Sequence, residues 1–260
     1  MSIHPSAIVE KGAAVAAGCR IGPFCHIGKN VRLKAGVHLH SHVVISGHTT
    51  IGEQTEIWPF ASIGSQPQDL KYAGEETRLE IGARNMIRES VSINPGTAGG
   101  GGLTRIGNDC LFMLGTHVGH DCTVGNRVVM ANHASLAGHV LIGEGAIIGG
   151  LAGIHQYVRI GEGAIIGALA MVVADVIPYG SVIGERPKLA GLNLVGLKRR
   201  GVSRAEISEI RAAFRRIFEA DQPLRVQAET LLKQENGARV LQILEFILAD
   251  SGRSFCVPKA

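Results

Sequence analysis

A beat of six residues runs through most of this chain. Counting in sixes from Ile3 meets Val9, Val15, Ile21, Ile27, Leu33, Leu39, Ile45, Ile51, Ile57 and Ile63, all aliphatic. The beat returns at Ile81, Ile87 and Ile93. In shifted phase it then runs from Ile106 through Phe112, Val118, Val124, Met130, Leu136, Ile142, Ile148, Ile154, Ile160 and Ile166 to Val172. Four residues beyond each beat the residue is usually small, as at Cys19, Cys25, Cys110, Cys122, Ala134 and Ala164. A period of six is neither the 3.6 of an amphipathic helix nor the 2 of an alternating strand. It fits a short strand and a tight turn repeated many times. Three such units close a triangular coil with beat and small residues inside, and stacked coils pair in parallel about 4.8 Å apart.

This reading predicts a mainly β chain, a parallel β-helix of about nine to ten coils over 1–190. Two intervals break the beat and are expected to loop outward, 64–80 and 94–105, the second with four consecutive glycines. Such loops are where a solenoid carries its binding parts. Residues 191–260 read as a helical domain. Ser203 and Glu206 form a capping box ahead of Ile207, Ile210 and Phe214, and apolar residues recur at helical spacing around Leu231 and Ile243.

The net charge of +4 is mild and not gathered into a tail, so no nucleic-acid partner is expected. Five cysteines, an odd number without a dense framework, fit a reducing compartment. The N-terminus lacks the pattern of a secretory leader, and no uncharged run is long enough to span a membrane. A cytoplasmic protein without a transmembrane segment is expected.

The histidines are the main chemical signal. His117, His120 and Asp121 fall in one coil, Gly138 and His139 in the next, and His155 and Gln156 in the one after. None occupies a beat or small position, so all should stand outside the core in a column along one edge. One of these imidazoles could act as a general base, given a partner to fix its tautomer. A merely structural histidine ladder is the plain alternative. A metal is disfavoured because no carboxylate is expected to converge on the column. In the first loop Asp69 and Lys71 could grip a polar ligand, and Lys198, Arg199 and Arg200 could bind phosphates. Either group could equally be ordinary solvated surface. The run of glycines lacks the ending of a nucleotide loop.

The hexapeptide beat resembles that of the left-handed β-helix acyltransferases, and the hand is taken from that resemblance, since crossovers are ordinarily right-handed. Several segments closely resemble the acyl-carrier-protein-dependent UDP-N-acetylglucosamine O-acyltransferases. They are His42-Val43-Val44, Gln68-Asp69-Leu70-Lys71-Tyr72-Ala73-Gly74, Ile87-Arg88-Glu89-Ser90, His117 through Asp121, Leu136-Ala137-Gly138-His139, His155-Gln156 and Gly196-Leu197-Lys198-Arg199-Arg200-Gly201. The resemblance spans nearly the whole chain. It implies a cytoplasmic homotrimer that starts lipid A synthesis by moving a 3-hydroxyacyl chain from acyl carrier protein to the sugar 3-hydroxyl of UDP-N-acetylglucosamine. It needs no cofactor beyond the phosphopantetheine of the carrier.

By the same resemblance His120 is the general base, Asp121 supports it, and the Gly138 N–H receives developing negative charge. Asp69, Lys71, His117, His139 and Gln156 would hold the sugar nucleotide, His155 the acyl and pantetheine groove. Asn193, Arg199 and Arg200 would contact phosphates or the donor. Ala168 and Met171 would lie at the end of the acyl groove, and no serine or cysteine is expected in the cleft to form an acyl-enzyme. The chain departs from the family pattern at Asn94, Pro95 and Val195. N-acylation of a 3-amino sugar nucleotide remains an alternative, as does a metal-binding or non-catalytic trimeric solenoid.

Overall fold

The structure, a computed structural model, describes residues 1–258 apart from 186–187, 219–221 and 235. Strands mostly two residues long follow one another around a triangular coil, each pairing with the strand three further along. The first face starts with Ser2–Ile3 and Arg20–Ile21 and has 11 strands. The second starts with Ile8–Val9 and has 9; the third starts with Ala14–Val15 and has 8. The pairings among described residues are parallel, save the closing pair Gly180–Ile183 with Lys188–Leu192.

Register follows the beat: Ile3 pairs with Ile21, Ile21 with Leu39, Leu39 with Ile57 and Ile57 with Ile87. These ladders fill the interior. Ile27, Leu39, Ile57, Ile93, Val118 and Ile148 are wholly buried, each contributing about 1.5–3 kcal/mol of transfer free energy. The first coil has nothing beneath it, and Ile3 stays 39% exposed.

Closing so tight a coil forces left-handed backbone at the corners, on side-chain-bearing residues as well as glycine. Phe24, His42 and Phe60 turn the corner between first and second faces with φ of 58°, 58° and 66°. Asp121, His139 and Tyr157 turn the corner between second and third with 59°, 61° and 65°. Each non-glycine residue there costs about 1–2 kcal/mol, offset by the ladders it allows to form.

The interruptions are shorter than the broken beat implies. Arg78–Ile81 is already a strand, paired with His48–Ile51 and Leu103–Ile106. These four-residue strands turn Leu79 and Thr104 inward at positions the beat does not mark, and Thr49 at the small position four residues beyond Ile45. Beyond the coils lie α1 (Leu194–Arg199), α2 (Arg204–Phe218), α3 (Leu224–Leu232) and α4 (Ala238–Leu248). Ser203 caps α2 reciprocally with Glu206, its hydroxyl 2.8 Å from Oε2. α1 has only six residues, one of them Gly196, so it is too short to show a helical period. The chain then returns to the solenoid. Cys256 donates its N–H to the Asp175 carbonyl at 2.7 Å, and the buried Asp175 carboxylate pairs with Arg159 at 2.7 Å. Among the described residues no helix is long and apolar enough to cross a membrane.

Candidate active site

The corner between the second and third faces collects most of the chemistry. Both loops leave the coil there, after Ile63 and after Ile93, and the next coils add His120–Asp121, Gly138–His139 and His155–Gln156. Backbone rungs stack them: the His139 N–H donates to the His120 carbonyl at 2.9 Å, and the Tyr157 N–H to the Gly138 carbonyl at 3.2 Å.

At the centre, Asp121 Oδ2 lies 2.8 Å from His120 Nδ1. The left-handed turn at Asp121 points its side chain back at the preceding residue, and the loop after Ile93 closes over both. Thr97 donates its N–H to Oδ1 at 2.8 Å and its hydroxyl to Oδ2 at 2.6 Å. Below, the Asp121 N–H donates to the hydroxyl of inward-facing Thr104 at 2.8 Å. The glycines make this closure possible. A Cβ on Gly100 would lie 2.0 Å from Asp121 Cγ, and one on Gly96 would lie 2.1 Å from the Leu103 nitrogen. Outside the aliphatic core, the two side chains are nonetheless shielded, His120 at 8% exposure and Asp121 at 1%.

The expectation that no carboxylate converges on the column is overturned. His120 Nδ1, Asp121 Oδ2 and His139 Nε2 come together, the last two 3.8 Å apart. The Asp121 oxygens are nonetheless engaged by Thr97 and His120, which suits a hydrogen-bonding carboxylate. As an acceptor-only carboxylate Asp121 takes the Nδ1 proton bond, leaving Nε2 as the basic nitrogen. The other end of the ring rests on Gly138, where a Cβ would lie 2.5 Å from Nε2. His139 packs edge-on to His120 at 5.0 Å and stacks on Tyr157 at 4.4 Å. Burial pulls the His139 imidazole below its usual range, opposed by the charges of Asp121 and Asp69, so the first loop reaches the site electrostatically.

His117 opens the second face, in a ladder with Ser92 below and Ser135 above. Burial, then the neighbouring His120, lower its pKa. Its Nδ1 lies 2.8 Å from the Ser92 hydroxyl. The cysteines do point away. Cys122 and Cys110 are buried, their thiols pushed up by desolvation to about 12 and about 11. Above His117 a shallow apolar groove of about 330 Å³ is lined by Ser135, Ala137, Gly153, Ile154, His155 and Met171. No atom stands within 4 Å of a Cβ on Gly153, so the floor is open up to Met171. His155 is exposed, and its Nδ1 lies 3.1 Å from Arg253 Nη2.

Other expected residues lie elsewhere. Asp69 and Lys71 sit on the first loop, where Asp69 Oδ1 accepts the Lys71 N–H at 3.0 Å and Lys71 is exposed. Gln156 is exposed at the column's edge. Ala168 lies at the corner between first and second faces and does not line the groove of this chain. Asn193 caps α1, accepting the Gly196 N–H at 2.9 Å and donating to the Gly163 carbonyl at 3.0 Å. Arg199 ends α1, and Arg200 pairs with Glu162 at 2.9 Å. That group stands over Gly145 and Gly163, at the corner between third and first faces, away from His120 within one chain. Asn94 is buried, its amide tying the first loop down through the Ser65 and Gln66 carbonyls.

Thr97, Thr104, Ser92, Tyr157 and Arg253 were not singled out by sequence. Only Tyr157, one coil above His139, follows a readable spacing.

Residues 175–256 match a family model described as UDP-N-acetylglucosamine O-acyltransferase, domain 2. A relative in Paracoccus denitrificans, an acyl-[acyl-carrier-protein]–UDP-N-acetylglucosamine O-acyltransferase, is 58% identical over 202 residues, 78% of this chain and 77% of that one. A crystal structure of a UDP-N-acetylglucosamine acyltransferase superposes with a TM-score of 0.96 at 42% identity, covering 100% of both chains. The LpxA structure from Acinetobacter baumannii gives 0.93 at 42% identity, over 97% of this chain and 98% of that one. With likeness of this degree along both solenoid and helices, the chain belongs to the UDP-N-acetylglucosamine O-acyltransferase family, whose solenoid is a left-handed β-helix.

Proposed function

We propose that this chain moves a 3-hydroxyacyl group from acyl carrier protein to the glucosamine 3-hydroxyl of UDP-N-acetylglucosamine, the first step of lipid A biosynthesis. The observation that carries the reading is the shielded His120–Asp121 pair with its ring against Gly138, in a chain of this family. A sugar hydroxyl is a weak nucleophile. Nε2 of His120 takes its proton as the oxygen attacks the thioester carbon, and Asp121 steadies the imidazolium that forms. The Gly138 N–H, which donates to no backbone acceptor among the described residues, faces the oxygen that gains charge. Collapse of the tetrahedral intermediate breaks the C–S bond, and His120 returns the proton to the sulfur, leaving ester and pantetheine thiol.

Asp69, Lys71, His117, His139 and Gln156 hold the sugar nucleotide in this reading, and the acyl chain lies along Ser135 and Gly153 toward Met171. Asn193, Arg199 and Arg200, at another corner, serve a site only if a neighbouring copy brings them. A homotrimer with sites between subunits does this. The half-buried apolar ladder Leu111, Val129, Ile147 and Ile165 on the first face supplies a surface for it. The basic end of α1 suits an acidic carrier protein, where attraction mainly speeds encounter. Five free, buried cysteines are in keeping with the cytoplasm.

The test is an acyl-transfer assay over a series of 3-hydroxyacyl carrier proteins, with UDP-N-acetylglucosamine and its 3-amino counterpart as acceptors. His120→Ala should lower kcat by about 10²–10⁴-fold with the fold retained. Undiminished transfer by that variant removes the proposed base. Preference for the amino sugar replaces ester by amide formation at the same site.

A further inference from the structure

Acyl transfer leaves a second histidine–carboxylate group unexplained. His38 and His40 flank the buried Leu39 on the first face, and Glu56 stands in the next coil, its backbone in register with His38. Glu56 Oε1 lies 3.2 Å from His38 Nδ1 and 2.7 Å from His40 Nε2, and the three atoms lie within 4.8 Å of one another. The group is several coils below His120 and at a different part of the triangle, so the catalytic corner does not account for it.

Its geometry is more specific than that of a surface ion pair. Two rings aim different nitrogens at one carboxylate oxygen, with their centroids 4.3 Å apart. His40 is backed by Trp58, stacked at 5.1 Å and 22°, and Trp58 carries the Arg88 guanidinium 4.9 Å from its centroid. This stack limits how far the His40 ring can swing. Around a tetrahedral ion with bonds of about 2.0–2.1 Å, ligand atoms stand about 3.3 Å apart, close to the 3.2 Å and 2.7 Å that separate Glu56 from the two rings. The charges facing the group are Arg20, one rung below His38, which opposes a cation, and Glu89, which acts on His40 from the Arg88 side.

We propose that His38 Nδ1, His40 Nε2 and the Glu56 carboxylate form a binding site for a divalent transition-metal ion, best matched by zinc, with water completing the shell. Two imidazoles and one carboxylate suit zinc or copper and are a poor set for magnesium or calcium. Since the histidines and Glu56 come from adjacent coils, the ion staples one coil to the next and stabilises the solenoid in proportion to its occupancy.

The experiment uses the full chain, stripped with chelator and titrated with Zn²⁺ by calorimetry. Co²⁺ serves as a spectroscopic stand-in, and Cu²⁺ as a quencher of Trp58, the single tryptophan. One saturable site per chain is expected, with tetrahedral Co²⁺ absorption in the visible and quenching of Trp58. Glu56→Gln, which keeps the shape of the side chain, and His38→Ala should each weaken Zn²⁺ binding about tenfold or more. His120→Asn, which disrupts the other converging group, should leave it unchanged. Absence of saturable binding overturns the site. So does binding that survives Glu56→Gln and His38→Ala, or binding lost in His120→Asn.

Discussion

The two histidine–carboxylate groups of this solenoid differ chiefly in what lies over them. Around Glu56 the carboxylate meets two imidazoles, with His38 29% and Glu56 37% exposed. Around Asp121 the same kind of ladder is roofed by the loop after Ile93, and exposure falls to 8% for His120 and 1% for Asp121. Thr97 adds two donors that the lower group lacks. Coil stacking can thus bring imidazoles to a carboxylate wherever the sequence repeats them. A base of fixed tautomer, shielded from water, needs the insertion as well.

If the roof and the buried carboxylate make the difference, matched changes should act very unequally on catalysis. Asp121→Asn puts an amide nitrogen at one end of the carboxylate, and beside His120 that nitrogen donates to Nδ1 and holds the opposite tautomer, with the proton on Nε2. Orientation of His120 and support for its charge are lost together. A fall in kcat of about 10²–10⁴-fold is expected, whereas Glu56→Gln should leave turnover within about twofold. Steady-state kinetics on the two variants checks this, and equal losses would erase the distinction.

A gentler change makes the upper group more like the lower. Thr97→Val keeps the branched shape and the N–H bond to Oδ1 but removes the hydroxyl at 2.6 Å from Oδ2. Losing a hydrogen bond to a charged group costs about 1.5–3 kcal/mol, so kcat should fall about 10–100-fold with KM little changed. Gly100→Ala reaches the same end by another route, because the new methyl would collide with the carboxylate and lift the loop. Wild-type turnover in both variants would mean that the roof contributes nothing to the base.

What could be read from sequence tracks where the beat holds. Beat residues such as Ile57 and Val118 had to be interior, and residues a coil apart, such as Gly138 and Gln156, had to stack. Asp121 was legible as a neighbour of His120, but its approach to His139 depends on a left-handed turn that spacing does not encode. Ser92 pairs with His117 across 25 residues because the intervening loop stretches the coil, so counting by coils misses it. Thr97 lies inside an interval without period. Arg253 reaches His155 from 98 residues away, through a helical domain whose docking no local pattern specifies. The first-face group is not evident from local spacing, because His38 and His40 straddle a beat residue and only the next coil supplies Glu56.

The smallest effect expected is on stability, and it runs through both groups. Burial lowers the pKa of His117 and His139 near the catalytic corner and of His38 in the lower group. Unfolded, each titrates near pH 6.5. Below that value the unfolded chain takes up protons that the folded chain resists, so stability drops as pH falls from about 6.5 toward the depressed folded values. Above about pH 7 these groups are neutral in both states and their contribution is flat. Urea unfolding between about pH 5 and 8, at fixed protein concentration, isolates this window because carboxylates stay largely ionised there. The midpoint should decline on the acid side, and His117→Gln should flatten that decline more than His38→Gln, because His117 is the more deeply buried. A larger flattening from His38→Gln would reverse the ranking of the two environments and place the stronger desolvation in the lower, first-face group rather than beside the roofed corner.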